Sequence, residues 1–257
     1  MMNNVLNWFT PSYQTWLHRC NPSLKFLILF AIMLFVFFSR ALELYIGYIV
    51  CLSILLWSSC GFPIRKIALL HIPILFSSLS SGISLTLFGR GNDVLWQWWI
   101  IKISSESIHS GILIGTKSLL IGIIGLLLLL TSPPVKLLYS FMQQLRFPAK
   151  YAYAFLAGLR LVPFMIEEVQ LRRRALRIRR VQRPTGITAV YTTIKLYSIP
   201  LIAQAIRRAH RIGIAMVAKQ FNQQRTYYYI TGFSWHDAAF VIFALACTFV
   251  TMLFTAL

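Results

Sequence analysis

Long apolar runs, separated by short polar segments, dominate the pattern of hydrophobic and polar positions along the chain. Four runs are each long enough for a helix that crosses about 30 Å of hydrocarbon: 41–60, 67–88, 109–131 and 236–257. A fifth run, 24–38, is short for a span, but Arg40 and the apolar run after it predict a tight helical hairpin. The pattern therefore predicts an all-α, polytopic membrane protein with about five transmembrane helices.

The segment before the last run contains two further apolar stretches, 151–166 and 187–206, each interrupted by a cation and a proline. At the bilayer centre an Arg or Lys costs about 2.5 to 3.5 kcal/mol, whereas each Leu or Ile contributes only about 0.3 to 0.6 kcal/mol. We therefore predict that these two helices lie at the membrane interface or just beneath it. A further span within 150–206 is the alternative.

The composition agrees with membrane residence, since 58% of the residues are hydrophobic and 12% are charged, against about 25% charged in soluble domains. Lys and Arg number 25 against 6 acids, and 17 of these cations lie in 132–235. Short loops rich in Lys and Arg stay in the cytoplasm, which places the N-terminus and 132–235 inside and the C-terminus outside. The predicted organisation is an interfacial segment with four transmembrane helices over 1–131, a cytoplasmic or interfacial helical domain over 132–235, and a final transmembrane helix over 236–257.

The titratable side chains argue against built-in catalysis. Six carboxylates are scattered along the chain, and the adjacent pair Glu167 and Glu168 project about 100° apart on a helix. The four cysteines and five histidines show no spacing typical of a metal site, and the phosphate-binding pattern GxxxxGK[ST] does not occur. The sequence therefore predicts no catalytic residue, no metal site and no cofactor bound by this chain.

Small residues are concentrated in the third and fourth predicted spans. Six of them crowd one segment of the third span, 77–84, and the fourth span begins with Gly111 and Gly115. Small residues spaced four apart allow membrane helices to approach closely. We predict close helix packing here; a substrate pathway lined by the serines is the alternative.

The stretch 167–183 predicts a helix that ends in cations. At 100° per residue Arg173, Arg177 and Arg180 form one stripe, and the helix breaks at Pro184. Cations at this end suit the negative pole of the helix dipole and its unpaired carbonyl groups. The sequence thus predicts an exposed basic helix end.

The stretch 205–221 predicts a second helix of the same kind, with two different faces. One face is apolar and rich in small residues, and the opposite face is basic. The apolar face consists of Ile206, Ala209, Gly213, Met216 and Val217, and the basic face of Arg208, Arg211, Ala215 and Lys219. We predict that the two helices cross through apolar seams and present their basic ends to an acidic partner protein. Anchoring to anionic lipid is the alternative, and nucleic-acid binding is disfavoured because aromatic stacking residues are few.

Three segments, taken in their order and spacing, bring a family into view. HRCNPSLKF at 18–26 is similar to the pattern h-x-x-D-P-x-x-K, and LTSPPVKLLYSFMQQLRFP at 130–148 to T-T-S-P-x-x-L followed by L-x-x-L-x-x-P. AYAFLAGLRLVPFMIEEV at 152–169 is similar to R-x-x-P-x-x-x-x-E. In these segments the chain resembles the transmembrane T component of energy-coupling factor (ECF) transporters, a family that includes the Q subunit of cobalt permeases.

The resemblance also implies where partner ATPases bind. In that family two short Ala-Arg-Gly-like motifs end two cytoplasmic coupling helices, and each arginine reaches into an ATPase subunit. By position the first motif corresponds to Ile178, Arg179 and Arg180, and the second to Ala218, Lys219 and Gln220. Lys219 stands where the second motif has its central arginine. This position therefore lacks the planar donor fork with which arginine binds a carboxylate through two hydrogen bonds.

The implied function is a scaffold with a cytoplasmic coupling-helix domain. It would couple two ATP-binding-cassette ATPases to a small membrane subunit that captures the substrate, a vitamin or a transition-metal ion. ATP would be bound by the ATPases, so this chain would be a permease subunit without an enzymatic activity of its own. The implied location is the prokaryotic cell (inner) membrane, with the lipid bilayer as a further partner and no nucleic acid.

Overall fold

The computed structural model describes residues 13–89, 94–98, 101–178, 187–221, 227 and 230–256. The chain divides into two compact units. The first unit consists of Met1–Phe141 together with Thr231–Leu257, and the second unit is Met142–Ile230. The second unit is therefore inserted into the chain of the first.

Nearly all described residues are helical. The first unit contains α1 (Trp16–Arg19), α2 (Pro22–Phe38), α3 (Leu42–Ser59), α4 (Ile64–Phe88), α5 (Ser105–Thr131), the beginning of α6 (Pro134–Gln144), and α9 (Trp235–Ala256). The second unit contains α7 (Ala149–Ile178) and α8 (Ile187–Ala218). Between α4 and α5 lie the strands β1 (Val94–Trp98) and β2 (Ile101–Ser104).

Four helices of the first unit are long and apolar enough to cross a membrane, namely α3, α4, α5 and α9. The apolar helix α2 is shorter, at 17 residues. The predicted all-α, multi-pass membrane protein is thus confirmed, and the short run that precedes Arg40 is a helix as expected. Within the described residues of the second unit, neither α7 nor α8 meets the criteria for a span.

Helix α5 is the centre of the first unit, because α2, α3 and α4 all pack against it. Leu120 and Leu127 of α5 are fully buried, as are Tyr48 and Leu56 of α3. Helix α9 packs mainly against α3 and also contacts α2. Helices α2 and α3 are joined by three residues, but they do not pack along each other. Helix α2 packs chiefly on α5, and α3 packs chiefly on α9 and α5. The short connection therefore does not produce a closely packed helix pair.

Small residues bring α4 and α5 into close contact. A Cβ atom added to Gly82 would lie 3.2 Å from the carbonyl oxygen of Gly111, and one added to Gly115 would lie 3.5 Å from the Cα of Gly82. Ser78 Oγ donates a hydrogen bond of 2.7 Å to the carbonyl oxygen of Gly115. The predicted packing role of these small residues is confirmed.

The connection between α4 and α5 contains two short strands that the sequence analysis does not predict. Strands β1 and β2 pair in an antiparallel hairpin, with Trp96 opposite Ile103 and Trp98 opposite Ile101. β-branched and aromatic residues favour such extended pairing. The strands are only five and four residues long, too short for a pattern with a period of two to be recognised beside the long helical runs.

Candidate functional site: the basic helix pair of the second unit

Helices α7 and α8 run antiparallel to each other. Near the start of α7 the ring of Tyr153 stands edge-on to the ring of Phe221, which follows the end of α8, with centroids 5.3 Å apart. Further along α7, Arg172 Nη1 lies 3.5 Å from the carbonyl oxygen of Leu196 in the first half of α8. The beginning of each helix therefore lies near the end of the other.

A polar cross-link joins the middle of the pair. Glu168 Oε1 accepts a hydrogen bond of 2.7 Å from Gln204 Nε2, and Glu168 Oε2 lies 3.4 Å from Arg208 Nη2. The guanidinium of Arg208 also stands over the ring of Phe164, 5.5 Å from its centroid. The two charged side chains are only 25% and 20% exposed, so this ion pair is better shielded than a surface pair and is held by a cation–π contact as well.

The cross-link corrects the predicted arrangement of faces on α8. Arg208, assigned to the basic face away from the helix crossing, points toward α7 and binds Glu168. The predicted apolar seam is mostly outside the contact: Ile206 is 63% exposed, Ala209 is exposed and nothing lies within 4 Å of a Cβ added to Gly213. Met216 is partly buried and Arg211 is exposed. The prediction that the seam forms the crossing is therefore wrong, because the face of α8 that meets α7 contains Gln204 and Arg208, which bind Glu168.

We define the first tip as residues 178–180 and the second tip as 218–220. Because the helices are antiparallel, the second tip lies near Tyr153, at the opposite end of α7 from Ile178. From Tyr153 to Ile178 a helix advances about 1.5 Å per residue, or roughly 37 Å in all. Ile178 and the second tip are thus far enough apart to contact two separate protein surfaces.

The last described turn of α7 is basic and exposed. Arg173 and Arg177 are exposed, and Ile178, the last described residue of α7, is 82% exposed. Arg179 and Arg180 lie outside the described residues. The described part of the predicted stripe therefore faces solvent in this chain.

The second tip ends α8 in a Schellman motif. The N–H of Phe221 donates to the carbonyl of Met216 at 3.0 Å, and the N–H of Gln220 to the carbonyl of Val217 at 2.9 Å. Gln220 has φ of 51°, in the left-handed region, which costs a residue with a side chain about 1 kcal/mol relative to glycine. This geometry explains why a glycine suits the third position of an Ala-Arg-Gly-like motif.

The Schellman motif also determines where Lys219 lies. Its N–H donates to the carbonyl of Ala215 at 3.0 Å, so it is the last residue with a helical hydrogen bond before the turn. Ala218 and Lys219 are exposed. A cation at this position is stabilised by the negative end of the helix dipole and is free to contact an acidic surface.

Sequence reasoning missed Glu168 and Gln204 as contact residues. Glu168 was considered only beside its neighbour Glu167, as a pair that does not converge. Its partner Arg208 is 40 residues away, and the pairing follows only from the antiparallel register. The available signal was the motif R-x-x-P-x-x-x-x-E, whose glutamate is Glu168.

Removing the Glu168 carboxylate is expected to loosen the helix pair. Glu168→Ala deprives Gln204 and Arg208 of their partner and should lower the free energy of unfolding by about 1–2 kcal/mol. A double-mutant cycle with Arg208→Ala, followed by thermal denaturation in detergent, measures the coupling between the two side chains. Glu167→Ala removes an exposed carboxylate one position away and is the matched control. Equal effects of Glu167→Ala and Glu168→Ala, or additive effects in the cycle, would contradict the cross-link.

Metal ligation has no support among the described side chains, where no group of three or more His, Cys, Asp or Glu residues comes together. The described contacts of α7 and α8 are those of a cross-linked helix pair with exposed cations toward its ends. Such an arrangement can bind an acidic surface and transmit a displacement.

Comparisons with known proteins place this arrangement in a family. The family model CbiQ, described as cobalt transport protein, matches residues 13–228. Three relatives share the name energy-coupling factor transporter transmembrane protein EcfT. The protein from Limosilactobacillus fermentum is 28% identical over 82% of this chain and 83% of its own length, and that from Lactococcus lactis subsp. cremoris is 24% identical over 99% of both. The protein from Macrococcus caseolyticus is 26% identical over 84% of both.

The match to the family model is not confined to the apolar spans. It begins before α1 and extends past the end of α8, so that it includes α2 to α5 as well as the cross-linked pair α7 and α8. On that coverage the chain belongs to the cobalt transport protein (CbiQ) family.

Proposed function

We propose that this chain is the transmembrane T component of an energy-coupling factor importer. Relatives that align with nearly its whole length carry that name, and four of its helices are suited to cross a membrane. In this role it joins two ATP-binding-cassette ATPase subunits to a small membrane subunit that captures the substrate. The substrate is a vitamin or a transition-metal ion, and the ATPases bind and hydrolyse ATP.

One observation carries the proposal: the antiparallel pair α7 and α8 presents cationic helix ends at opposite extremities. Two ATPase subunits that move relative to each other need two separate attachment points on a common rigid body. Helices α7 and α8 supply such a body, because Glu168 cross-links them between the tips. Movement at either tip then turns the pair as a whole.

The tips would bind by insertion into acidic clefts. An ion pair that stays exposed contributes only about 0 to 1 kcal/mol, so the docking cation must lose most of its water when it binds. Lys219 is presented for this by the Schellman turn. We propose the same role for Arg179 at the first tip, supported by the family motif and by the exposure of Ile178 beside it.

We further propose that the N-terminus and the second unit are cytoplasmic, that the C-terminus is outside, and that the membrane is the prokaryotic cell membrane. The support is the distribution of charge, since 132–235 carries 17 of the 25 Lys and Arg residues. Positive segments next to spans are retained on the cytoplasmic side. This side is also where ATP is available to the partner subunits.

Affinity capture of the tagged full chain from native membranes, followed by mass spectrometry, tests the proposed function. We expect two ATP-binding-cassette subunits and a small membrane protein to be captured in stoichiometric amounts. If the chain is recovered folded but without an ATPase, the proposal is wrong and lipid anchoring by the basic helices becomes the better explanation.

A further inference from the structure

A buried polar cluster in the first unit connects segments that are distant in the chain. Its members are Asn21, Ser140 and Asp237, with side chains that are 4%, 0% and 2% exposed. Asn21 is separated from Ser140 by 119 positions and from Asp237 by 216. We call these three residues the joint cluster. In the sequence, Asp237 is one of six scattered carboxylates.

Asp237 holds the beginnings of two helices together. Its Oδ1 accepts a hydrogen bond of 2.6 Å from the N–H of Asn21, the residue before α2, and its Oδ2 accepts one of 2.7 Å from the N–H of Ser234, the residue before α9. The second bond has the pattern of a capping box at the start of α9. Both carboxylate oxygens therefore have backbone partners, and the start of α9 is bound to the start of α2.

Asn21 extends the same connection to α6. Its Oδ1 accepts hydrogen bonds from Ser140 Oγ on α6 and from the N–H of Ser23, at 3.3 Å, which caps α2. Asn21 is thus the point where α2, α6 and the beginning of α9 meet.

Further buried donors surround the joint cluster. Lys25 Nζ donates to the carbonyl oxygens of Leu17, at 2.9 Å, and Thr131, at 3.0 Å, so the end of α5 is held to the same region. Burial raises the pKa of Cys20 to about 11, and its protonated thiol donates to the carbonyl oxygen of His236 at 3.2 Å. Helices α2, α5 and α9 therefore each have an end fastened here, and α6 is fastened through Ser140 in its interior.

In the sequence, the joint cluster is close to both segments that connect the two units. The second unit begins at Met142 and ends at Ile230. Ser140 precedes that insertion by two residues, and Ser234, bound to Asp237, follows it by four. Both covalent connections between the units thus begin within four residues of a group that belongs to the joint cluster or hydrogen-bonds to it.

We propose that Asn21, Ser140 and Asp237 are positioning residues for energy coupling, which transfer displacement of the second unit to the spanning helices. When the second unit moves, the connection on either side of it first displaces α6 or the start of α9. The hydrogen bonds of Asn21 and Asp237 then transmit that displacement to α2. This inference rests on the proposed function, since it requires an ATPase that moves the second unit.

The test compares variants of the full chain in complex with the ATPase subunits that it captures. Ser140→Ala and Asp237→Asn each remove one connection of the joint cluster. Ser78→Ala is the matched control, because it removes a buried serine hydrogen bond between α4 and α5, away from the joint cluster. For each complex, hydrogen–deuterium exchange of α2, α5 and α9 is measured with and without ATP and vanadate, and the melting temperature is recorded.

We expect Ser140→Ala and Asp237→Asn to capture the ATPases normally while the nucleotide-dependent change in exchange falls roughly 5-fold. Ser78→Ala should respond to nucleotide as the wild-type chain does, although its melting temperature falls to a similar extent. If Asp237→Asn does not fold, Ser140→Ala alone decides. An unchanged response in folded variants, or an equal loss in Ser78→Ala, overturns this inference alone, whereas a wild-type chain that captures no ATPase overturns the proposed function and this inference with it.

Discussion

Reversing the charge at the two tips is expected to release the ATPase subunits from this chain. In the double variant Arg179→Glu with Lys219→Glu, a carboxylate would enter each acidic cleft. Leaving a buried charge unpaired costs about 2–5 kcal/mol at an interface, so capture should weaken by roughly 100-fold. The measurement is the ATPase recovered per folded chain by quantitative mass spectrometry.

Arg211→Glu is the matched control for Lys219→Glu. Arg211 is also exposed on α8 and undergoes the same change of charge, but it lies two turns before the second tip. Binding through the tips predicts that Arg211→Glu captures ATPase normally. Anchoring to anionic lipid depends on total charge, so it predicts that the two substitutions act alike and that both lose their effect at high salt.

Conservative substitution separates the two explanations at the first tip. Arg179→Lys keeps the charge but loses the planar donor fork. Docking predicts a clear loss of ATPase for Arg179→Lys, whereas Arg173→Lys, at an exposed position on α7, should be tolerated. If Arg179→Lys and Arg173→Lys both retain full capture, the cation at the first tip is not inserted into a shaped cleft.

Replacing Gly111 by alanine is expected to force α4 away from α5. A Cβ atom at this position would collide with Thr86 Oγ1 and would lie 2.8 Å from the carbonyl oxygen of Gly82. The second contact is with backbone, which cannot move without shifting the helix. Overpacking of this kind costs about 1–3 kcal/mol, so we expect a fall in melting temperature of about 3–10 °C for a chain of this size.

Gly125→Ala provides the matched control on the same helix. Nothing lies within 4 Å of a Cβ added to Gly125, and alanine is favoured over glycine inside a helix by about 1 kcal/mol. The melting temperature of Gly125→Ala in detergent should therefore be unchanged or higher. If Gly111→Ala is as stable as Gly125→Ala, the close approach of α4 and α5 is not the packing that stabilises the first unit.

The spanning helices could be predicted from the sequence because their signal is local. A run of about 20 apolar residues satisfies its own backbone hydrogen bonds in any membrane environment, so α3, α4, α5 and α9 follow from composition alone. Close packing through the small residues of α4 and α5 was also predictable, since such residues allow membrane helices to approach closely, but the contact of Gly82 with Gly111 and Gly115 comes only from the structure. The hairpin of β1 and β2 was missed because its strands are short.

The second unit was predicted less completely. The stretches 167–183 and 205–221 do contain the last described residues of α7 and the end of α8, and the docking role of Lys219 stays a prediction. The face of α8 that meets α7 was assigned wrongly, because the pattern of apolar residues favoured Ile206 and Gly213 over a face that contains Arg208. A cation is acceptable at a helix crossing only if its partner is present, and Glu168 lies 40 residues away.

The amino-acid sequence alone determined that this chain resides in a membrane and that its positive charge is concentrated between the fourth and last spans. These are sums over neighbouring residues, and folding does not change them. The tertiary structure decided the antiparallel register of α7 and α8 and the joint cluster of Asn21, Ser140 and Asp237. Each of these depends on groups that are far apart in the chain, and their hydrogen bonds form only after the apolar surfaces of the helices have brought them within about 3 Å of each other.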